Sequence, residues 1–500
     1  MRPRSMPSLF PPALFFCFCS SFQSDGKSRW SGLATLTCFF VATATASVSA
    51  KLEVALELQL GQEIGQLRAA PVQLGTERGL MIVYGADFDV DPYHEMFFYP
   101  KDTLKLAVYT LRGERLWMKD LGRGMPPGMW FCPVFPFDLD GDGVDEIWHV
   151  GNPDHDHPFA ISKYTLERVD ARTGTALGSL RWPRADWQPN ASMFRNFILG
   201  GQVKGRPVLL TAQGTYTVMK IQAWNPDLTL RWEHVIPANS PGARGSHMCP
   251  IVDFDGDGIE EVMWGERRIE LDAGRELFCA DRELYRGHSD VIQPFLDRGT
   301  GRWRLFTCRE SAPAVAPRIA VFDDQGERLW GALEFGHIDM GWVAHLENPR
   351  DFTAMGIRIG RKTLGPNGRF RTRTEEFVFD AATGLPMRLP YPVYLTLPVD
   401  ITGDGVHELV YGSHGGSGEV IDAKGKLLGN VHGTVALVAK LLDAAGEHIL
   451  AFDQSGTVRV WRDLHAHDTE EAHFRYRHPF YRANVRLAAS GHNLVNLGGL

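Results

Sequence analysis

The sequence predicts an all-β fold, a β-propeller of four-stranded antiparallel blades, on three observations. Short strand-like runs meet repeatedly at tight turns carrying Asp or Gly. Those turns recur about every 50 residues, close to the length of one propeller blade. No amphipathic run of helical length lies between the strands, which argues against a parallel βαβ sheet. Composition agrees: of 500 residues, 52 are Gly and 30 Pro, with 44% hydrophobic and 11% aromatic, a mixture suited to a turn-rich protein with a large core. A net charge of −8 leaves no basic footprint for nucleic acid, and seven cysteines are too few for a disulfide scaffold.

In chain order, residues 1–50 read as an export segment. Arg2, Arg4, Lys27 and Arg29 outnumber Asp25, an uncharged stretch runs from Leu33 to Ala50, and Val48-Ser49-Ala50 has the small-x-small form a signal peptidase reads. Cleavage after Ala50 is expected, leaving 51–500 as a single propeller domain, a secreted or periplasmic monomer with no stable membrane insertion. A membrane anchor is the weaker alternative, because Leu33 to Ala50 is barely long enough to span and is rich in Thr and Ser. The strand Lys51 to Leu60 alternates apolar and polar residues and would complete the last blade, closing the ring with no free edge.

Eight hairpins follow: Leu111-Arg-Gly113, Asp170 to Gly174, Asn225-Pro-Asp227, Asp272-Ala-Gly274, Asp323 to Gly326, Asp380 to Gly384, Asp422 to Gly425, and Arg462-Asp463. Asp, Asn and Gly tolerate the left-handed backbone angles of tight turns. The turn count favours eight blades, and seven also fits the length.

Two acidic loops lie in phase with this repeat. Asp138, Asp140 and Asp142 with Glu146, and Asp253, Asp255 and Asp257 with Glu261, alternate carboxylates along a glycine-containing turn. That spacing suits Ca2+ in a structural role, the later glutamate closing the oxygen shell. The other reading is a hydrogen-bonded turn without an ion. Degenerate copies at Asp87-Phe-Asp89-Val-Asp91 with Glu95, and at Asp400 to Asp404 with His407 and Glu408, are weaker candidates.

Histidines collect at the phase where the chain enters each innermost strand: His247, Gly287-His288-Ser-Asp290, Gly336-His337-Ile-Asp339 and His432, with His155 and His157 after the first acidic loop. On an extended segment His155 and His157 face one side. Tyr216 adds a phenol, and Arg231, Arg244 and Arg286 add fixed positive charge. A transition-metal site built from the imidazoles is the alternative chemistry.

The run from Gly245-Ser-His247 through Asp253 to Gly258, Glu261-Val-Met-Trp-Gly265, Leu271 to Gly274 and Gly287-His288-Ser-Asp290 resembles the β-propeller polysaccharide lyases, the rhamnogalacturonan and ulvan lyases. The stretches Gly214-Thr-Tyr216, Ala223-Trp224-Asn225 and Leu230-Arg231-Trp232 are similar too. The resemblance implies an acidic polysaccharide substrate cleaved next to a uronate by β-elimination, which needs a neutralised carboxylate, a base and an acid. It assigns Tyr216 and His288 as the acid/base pair, with His155 or His157 contributing. Arg231, Arg244 and His247 are implied to hold the carboxylate, Arg286 and His337 join them as substrate-binding candidates, and Trp342 and Trp187 are candidates for stacking on sugar. The tail Phe474 to Tyr481 departs from the rhamnogalacturonan-lyase pattern and favours the ulvan-type reading. Outside the lyases, the alternatives are a non-catalytic, integrin-like calcium-binding propeller that binds glycan or protein, and a hydrolase using a bound metal.

Overall fold

A computed structural model of the chain describes residues 50–92, 100–183, 190–310, 315–365 and 368–490, with Gly499 and Leu500. The expected export segment, Glu95 and Trp187 therefore lie outside the described residues. Seven successive antiparallel sheets span 66–120, 134–181, 196–236, 251–279, 289–332, 337–380 and 397–430. The eighth pairs three strands over 434–463 with Leu52–Gln59 from the beginning of the described chain. These are blades 1 to 8 of a propeller. The first strands of most neighbouring blades touch one another and form the inner ring. Leu52 faces Asp463 and Gln59 faces Thr457, so the alternating run after residue 50 closes the circle.

Six of the first seven expected hairpins join the third and fourth strands of one blade; the sixth, Asp380 to Gly384, follows the third strand of a blade that has no fourth. The eighth, Arg462-Asp463, ends the third strand of blade 8, whose fourth strand is Leu52–Gln59. The repeat also carries an inter-blade clasp. Trp117, on the outer strand of blade 1, lies over Gly174 in the hairpin of blade 2, where an added Cβ would come within 2.7 Å of the indole. Its indole N–H donates to the Ala171 carbonyl at 2.8 Å. Trp232 over Gly274, Phe278 over Gly326, Trp330 over Gly384 and Tyr391 over Gly425 repeat the arrangement around the ring. Glycine is required there twice over, by close approach and by a positive φ, +71° at Gly174. Blade 2 breaks the pattern. Its outer strand Ala176–Arg181 has no aromatic residue, and the next hairpin carries Leu228 where the others have glycine.

Two features depart from the expected regularity. Blade 6 has three strands, because the segment after Asp380 contains Pro386, Pro390 and Pro392, which lack the N–H a fourth strand must donate; only Phe379 and Pro386 form a bridge. An extra hairpin, Arg361–Gly365 with Gly368–Thr372, is inserted between its second and third strands. The tail is helical rather than β: Glu470–Arg477, capped by the Thr469 side chain accepting from the Ala472 N–H, then Pro479–Asn484 and a 3-10 turn over Val485–Ala489. These pieces plug the axis. Asn484 brackets the Ile251 backbone, Arg68 donates to the Ala489 carbonyl at 3.0 Å, Arg475 pairs with Asp400 at 2.8 Å, and the Tyr481 hydroxyl donates to Glu447 at 2.7 Å.

Candidate active site

Every inner strand runs in the same axial direction, so its start opens on one mouth of the ring and its end on the other. The acidic loops follow inner-strand ends and share the plugged mouth with the C-terminal helices. The histidines precede or begin inner strands and occupy the opposite mouth: His247 before Ile251–Val252, His288 before Ser289–Asp297, and His337 at the start of His337–Ala344.

Four blades, 3 to 6, bring their groups together there. Tyr216, held at φ +65° between the second and third strands of blade 3, stacks on His288 with ring centroids 4.6 Å apart and planes 26° apart. His247 lies 4.8 Å from His288 and edge-on to Trp130 at 5.3 Å. Asp290, two residues beyond His288 and so on the same strand face, reaches His247 Nε2 at 3.2 Å and His337 Nε2 at 2.6 Å. His337 also meets Asp339 at 3.3 Å and Glu310 at 3.7 Å. The Tyr216 hydroxyl donates to Glu310 at 3.0 Å. Lys362 and Arg371, from the inserted hairpin of blade 6, both bind the Asp339 carboxylate. Arg195, paired with Asp91 at 2.9 Å, lies over the Trp130 ring and near that of Tyr216.

The electrostatics separate these groups by task. Burial, and then the neighbouring Arg195, pull the His288 imidazole well below its usual 6.5, so the ring stays neutral. Its Nδ1 faces the Arg244 carbonyl at 3.4 Å, which assigns the hydrogen to Nδ1 and leaves a lone pair on Nε2; that atom is buried, 3.9 Å from Asp290, and has no hydrogen-bond partner among the described residues. Burial works against a charge on His337 too, but hydrogen bonds to Asp290 and Asp339 outweigh it and raise the imidazole to about 10. Burial and the nearby Asp290 raise Glu310 to about 7. The Tyr216 ring is 40% exposed, but the protein packed around it, and then the Glu310 carboxylate, hold its phenol well above 10.

Other expected participants lie elsewhere. Arg231 is at the hairpin end of an outer strand, where it binds the Asp272 carboxylate and carbonyl, so it does not reach the cluster. Arg244 is at the site only through its backbone. Its guanidinium donates to the carbonyls of Thr217, Pro237, Ala238 and Ser240, bracing the loop behind Tyr216, and burial pulls it down to about 10. Arg286 donates to the Ala238 carbonyl. His157 is bound to Asp154 at 2.9 Å and His155 packs on Gly122; among the described residues neither touches the cluster. Trp342 is buried, its N–H donating to Thr396, and cannot stack on a sugar. Glu310, Lys362 and Arg371 were not foreseen. Asp290 and Asp339 stood in the His-x-Asp pairs, whose two-residue spacing was the available signal.

Two sets of residues here could hold a cation: His247, His288 and Asp290, and Asp290, His337 and Asp339, each with ligand atoms within 4.8 Å of one another. At the far mouth, Asp138, Asp140 and Asp142, and Asp253, Asp255 and Asp257, group in the same way. Glu146 and Glu261 are not in those groups. Each turns inward onto an arginine of the third strand, Arg168 or Arg268, and accepts a backbone N–H from Leu139 or Phe254. Burial raises both glutamates to about 7.

No protein-family model matches the chain. It is 27% identical over 277 residues to the rhamnogalacturonan exolyase YesX of Bacillus subtilis, covering 48% of this chain and 44% of that protein. It is 24% identical over 310 residues to the rhamnogalacturonan endolyase YesW of the same organism, covering 52% and 48%. The matched part thus spans under half the length of these curated relatives. Among solved structures, the exotype rhamnogalacturonan lyase YesX superimposes with a TM-score of 0.68 at 21% identity, over 88% of this chain and 80% of that one. A Bacillus licheniformis rhamnogalacturonan lyase does so with a TM-score of 0.67 at 19% identity, over 89% and 81%. These structures show the fold. The inference toward ulvan drawn from the tail is not what these comparisons favour, and the tail lies at the plugged mouth, away from the histidine cluster. In sequence and in fold, the proteins this chain resembles are rhamnogalacturonan lyases.

Proposed function

We propose that this protein is a polysaccharide lyase that cleaves a uronate-bearing backbone of the rhamnogalacturonan type by β-elimination. One observation carries the reading: Tyr216, His288 and Glu310 meet at a single propeller mouth beside the cations His337, Lys362 and Arg371. Elimination breaks the C5–H bond, forms a C4–C5 double bond and expels the O4 oxygen. The neutral His288 offers its Nε2 lone pair to the C5 proton. Glu310, which holds a proton up to about pH 7, passes it through the Tyr216 hydroxyl to the leaving oxygen. Tyr216 then never has to become a phenolate beside a carboxylate, which its raised pKa forbids. His337, Lys362 and Arg371 draw the uronate carboxylate in and lower the cost of the charge that develops on it. An export segment at 1–50 suits a substrate of this size.

The orphaned Nε2 of His288 favours a second reading of the same reaction. His247, His288 and Asp290 fit a divalent cation, two imidazoles and a carboxylate converging at ligand distance. When bound there, the ion would supply carboxylate neutralisation, and His288 would orient rather than abstract. Incubating the purified protein with rhamnogalacturonan and following the absorbance of the unsaturated uronate tests the proposal. Product carrying the double bond is expected. Chain cleavage that yields saturated ends, or no cleavage, overturns it. Metal analysis of wild type against His288→Ala separates the two readings.

A further inference from the structure

The plugged mouth holds a cavity of about 720 Å³, within the size range of ligand pockets. It opens between the ends of inner strands of blades 1 and 8 and the C-terminal helices, so it faces away from the histidine cluster. Its charge is unlike that of the protein as a whole. In a chain of net charge −8, the wall carries Arg78, Lys440, Arg477, Arg482 and Arg486 against the acids Asp443 and Asp468. Arg78 and Lys440 are paired with those acids, and Arg486 lies 3.3 Å from Asp145 at the cavity edge. Arg477 and Arg482 have no carboxylate partner among the described residues. Concentrating cations in a concavity without counter-charge costs stability unless an anion is taken up, and a concave wall strengthens their combined field.

The wall is also aromatic. The Tyr476 hydroxyl is buried and has no hydrogen-bond partner among the described residues, and its ring lies under Lys440 Nζ at 4.5 Å. Positions 473, 476 and 477 share one helical face, and 481, 482, 485 and 486 share another, so both helices turn the same kind of surface toward this space. Guanidinium forks are what a sugar bearing a carboxylate needs, since the carboxylate takes paired N–H donors.

We propose that this cavity is a second, non-catalytic binding site for a uronate-bearing oligosaccharide, holding the polymer at the opposite end of the propeller from the cleavage site. Anion capture follows from the cavity alone; the choice of a uronate rests on the proposed function. The test is titration calorimetry with trigalacturonate on wild type, on the Arg477→Ala/Arg482→Ala double variant, and on Lys362→Ala/Arg371→Ala at the histidine mouth. Both arginines are exposed, so the first variant is expected to keep its thermal midpoint. Wild type should show two binding events. The Arg477/Arg482 variant should weaken one by about tenfold or more, the value of a lost charge-assisted pair, while turnover on a short soluble substrate stays at the wild-type level. One event, unaffected by Arg477 and Arg482, overturns the second site and leaves the lyase reading standing. No binding at either mouth overturns both. Equal affinity for inorganic phosphate, or for a neutral dextran oligosaccharide, overturns the assignment to uronates.

Discussion

Replacing Tyr216 by phenylalanine removes one oxygen and leaves the ring that stacks on His288. The hydroxyl donates to Glu310 at 3.0 Å, so the folded state loses one partly solvated hydrogen bond, about 1 kcal/mol net. Catalysis should lose far more. A positioned proton donor contributes roughly 10²–10⁴-fold, and at about 1.36 kcal/mol per decade that is about 3–5 kcal/mol of barrier. Because the Glu310 proton reaches the leaving oxygen only through Tyr216, the Tyr216→Phe/Glu310→Gln pair should be strongly non-additive, the double variant scarcely slower than Tyr216→Phe alone. The assay is the initial rate of unsaturated-uronate formation, with KM measured separately and the thermal midpoint confirming a native fold. A Tyr216→Phe rate within about threefold of wild type would refute the relay, as would multiplicative effects in the double variant.

Other consequences follow from the same geometry. Glu310 must be protonated to act as the acid, so kcat should fall as pH rises through about 7, and Glu310→Gln should lose that limb while turning over slowly at every pH. His337 is raised from 6.5 to about 10 in the folded state, so its contribution to stability is full below pH 6.5 and lost as pH rises through about 10; denaturation of His337→Gln should lack that alkaline decline. Gly384→Ala places a methyl 2.6 Å from the Trp330 ring at a φ of +72°, and left-handed strain plus overpacking should cost about 2–5 kcal/mol by denaturant melting. A change below about 0.5 kcal/mol would show that the clasp does not hold the blades. If the loops at Asp138 to Asp142 and Asp253 to Asp257 take up Ca2+ in a structural role, a calcium-selective chelator should lower the thermal midpoint before it lowers turnover at moderate temperature; an unchanged midpoint would refute that role.

The parts of this molecule that were legible beforehand are those where local chemistry and global fold demand the same residue. An Asp or Gly at the third-to-fourth strand hairpin serves both its own turn and the aromatic ring of the preceding blade, so the repeat stands out despite weak similarity between blades. His247, His288 and His337 were legible by phase, because a propeller sends each inner strand through the same place, whereas His155 and His157 lie elsewhere. Lys362 and Arg371 were not, since two cations on a charged hairpin look like an ordinary solvated face until the insertion folds over Asp339. Glu310 follows the end of a second strand, a position no repeat argument singles out, and only the fold brings it to Tyr216. Arg231 misled for the opposite reason: its neighbours match a familiar motif, but the turn beside it points its side chain to Asp272. The C-terminal helices were missed because they are short, and a proline at position 479 ends one and begins the next.

The most direct test of the central claim is a crystal structure of Tyr216→Phe with a rhamnogalacturonan oligosaccharide. The uronate carboxylate is expected among His337, Lys362 and Arg371, with C5 turned toward His288 Nε2 and the leaving oxygen beside position 216. A sugar seated away from that mouth, or one whose carboxylate faces solvent while C5 points away from His288, would contradict the account.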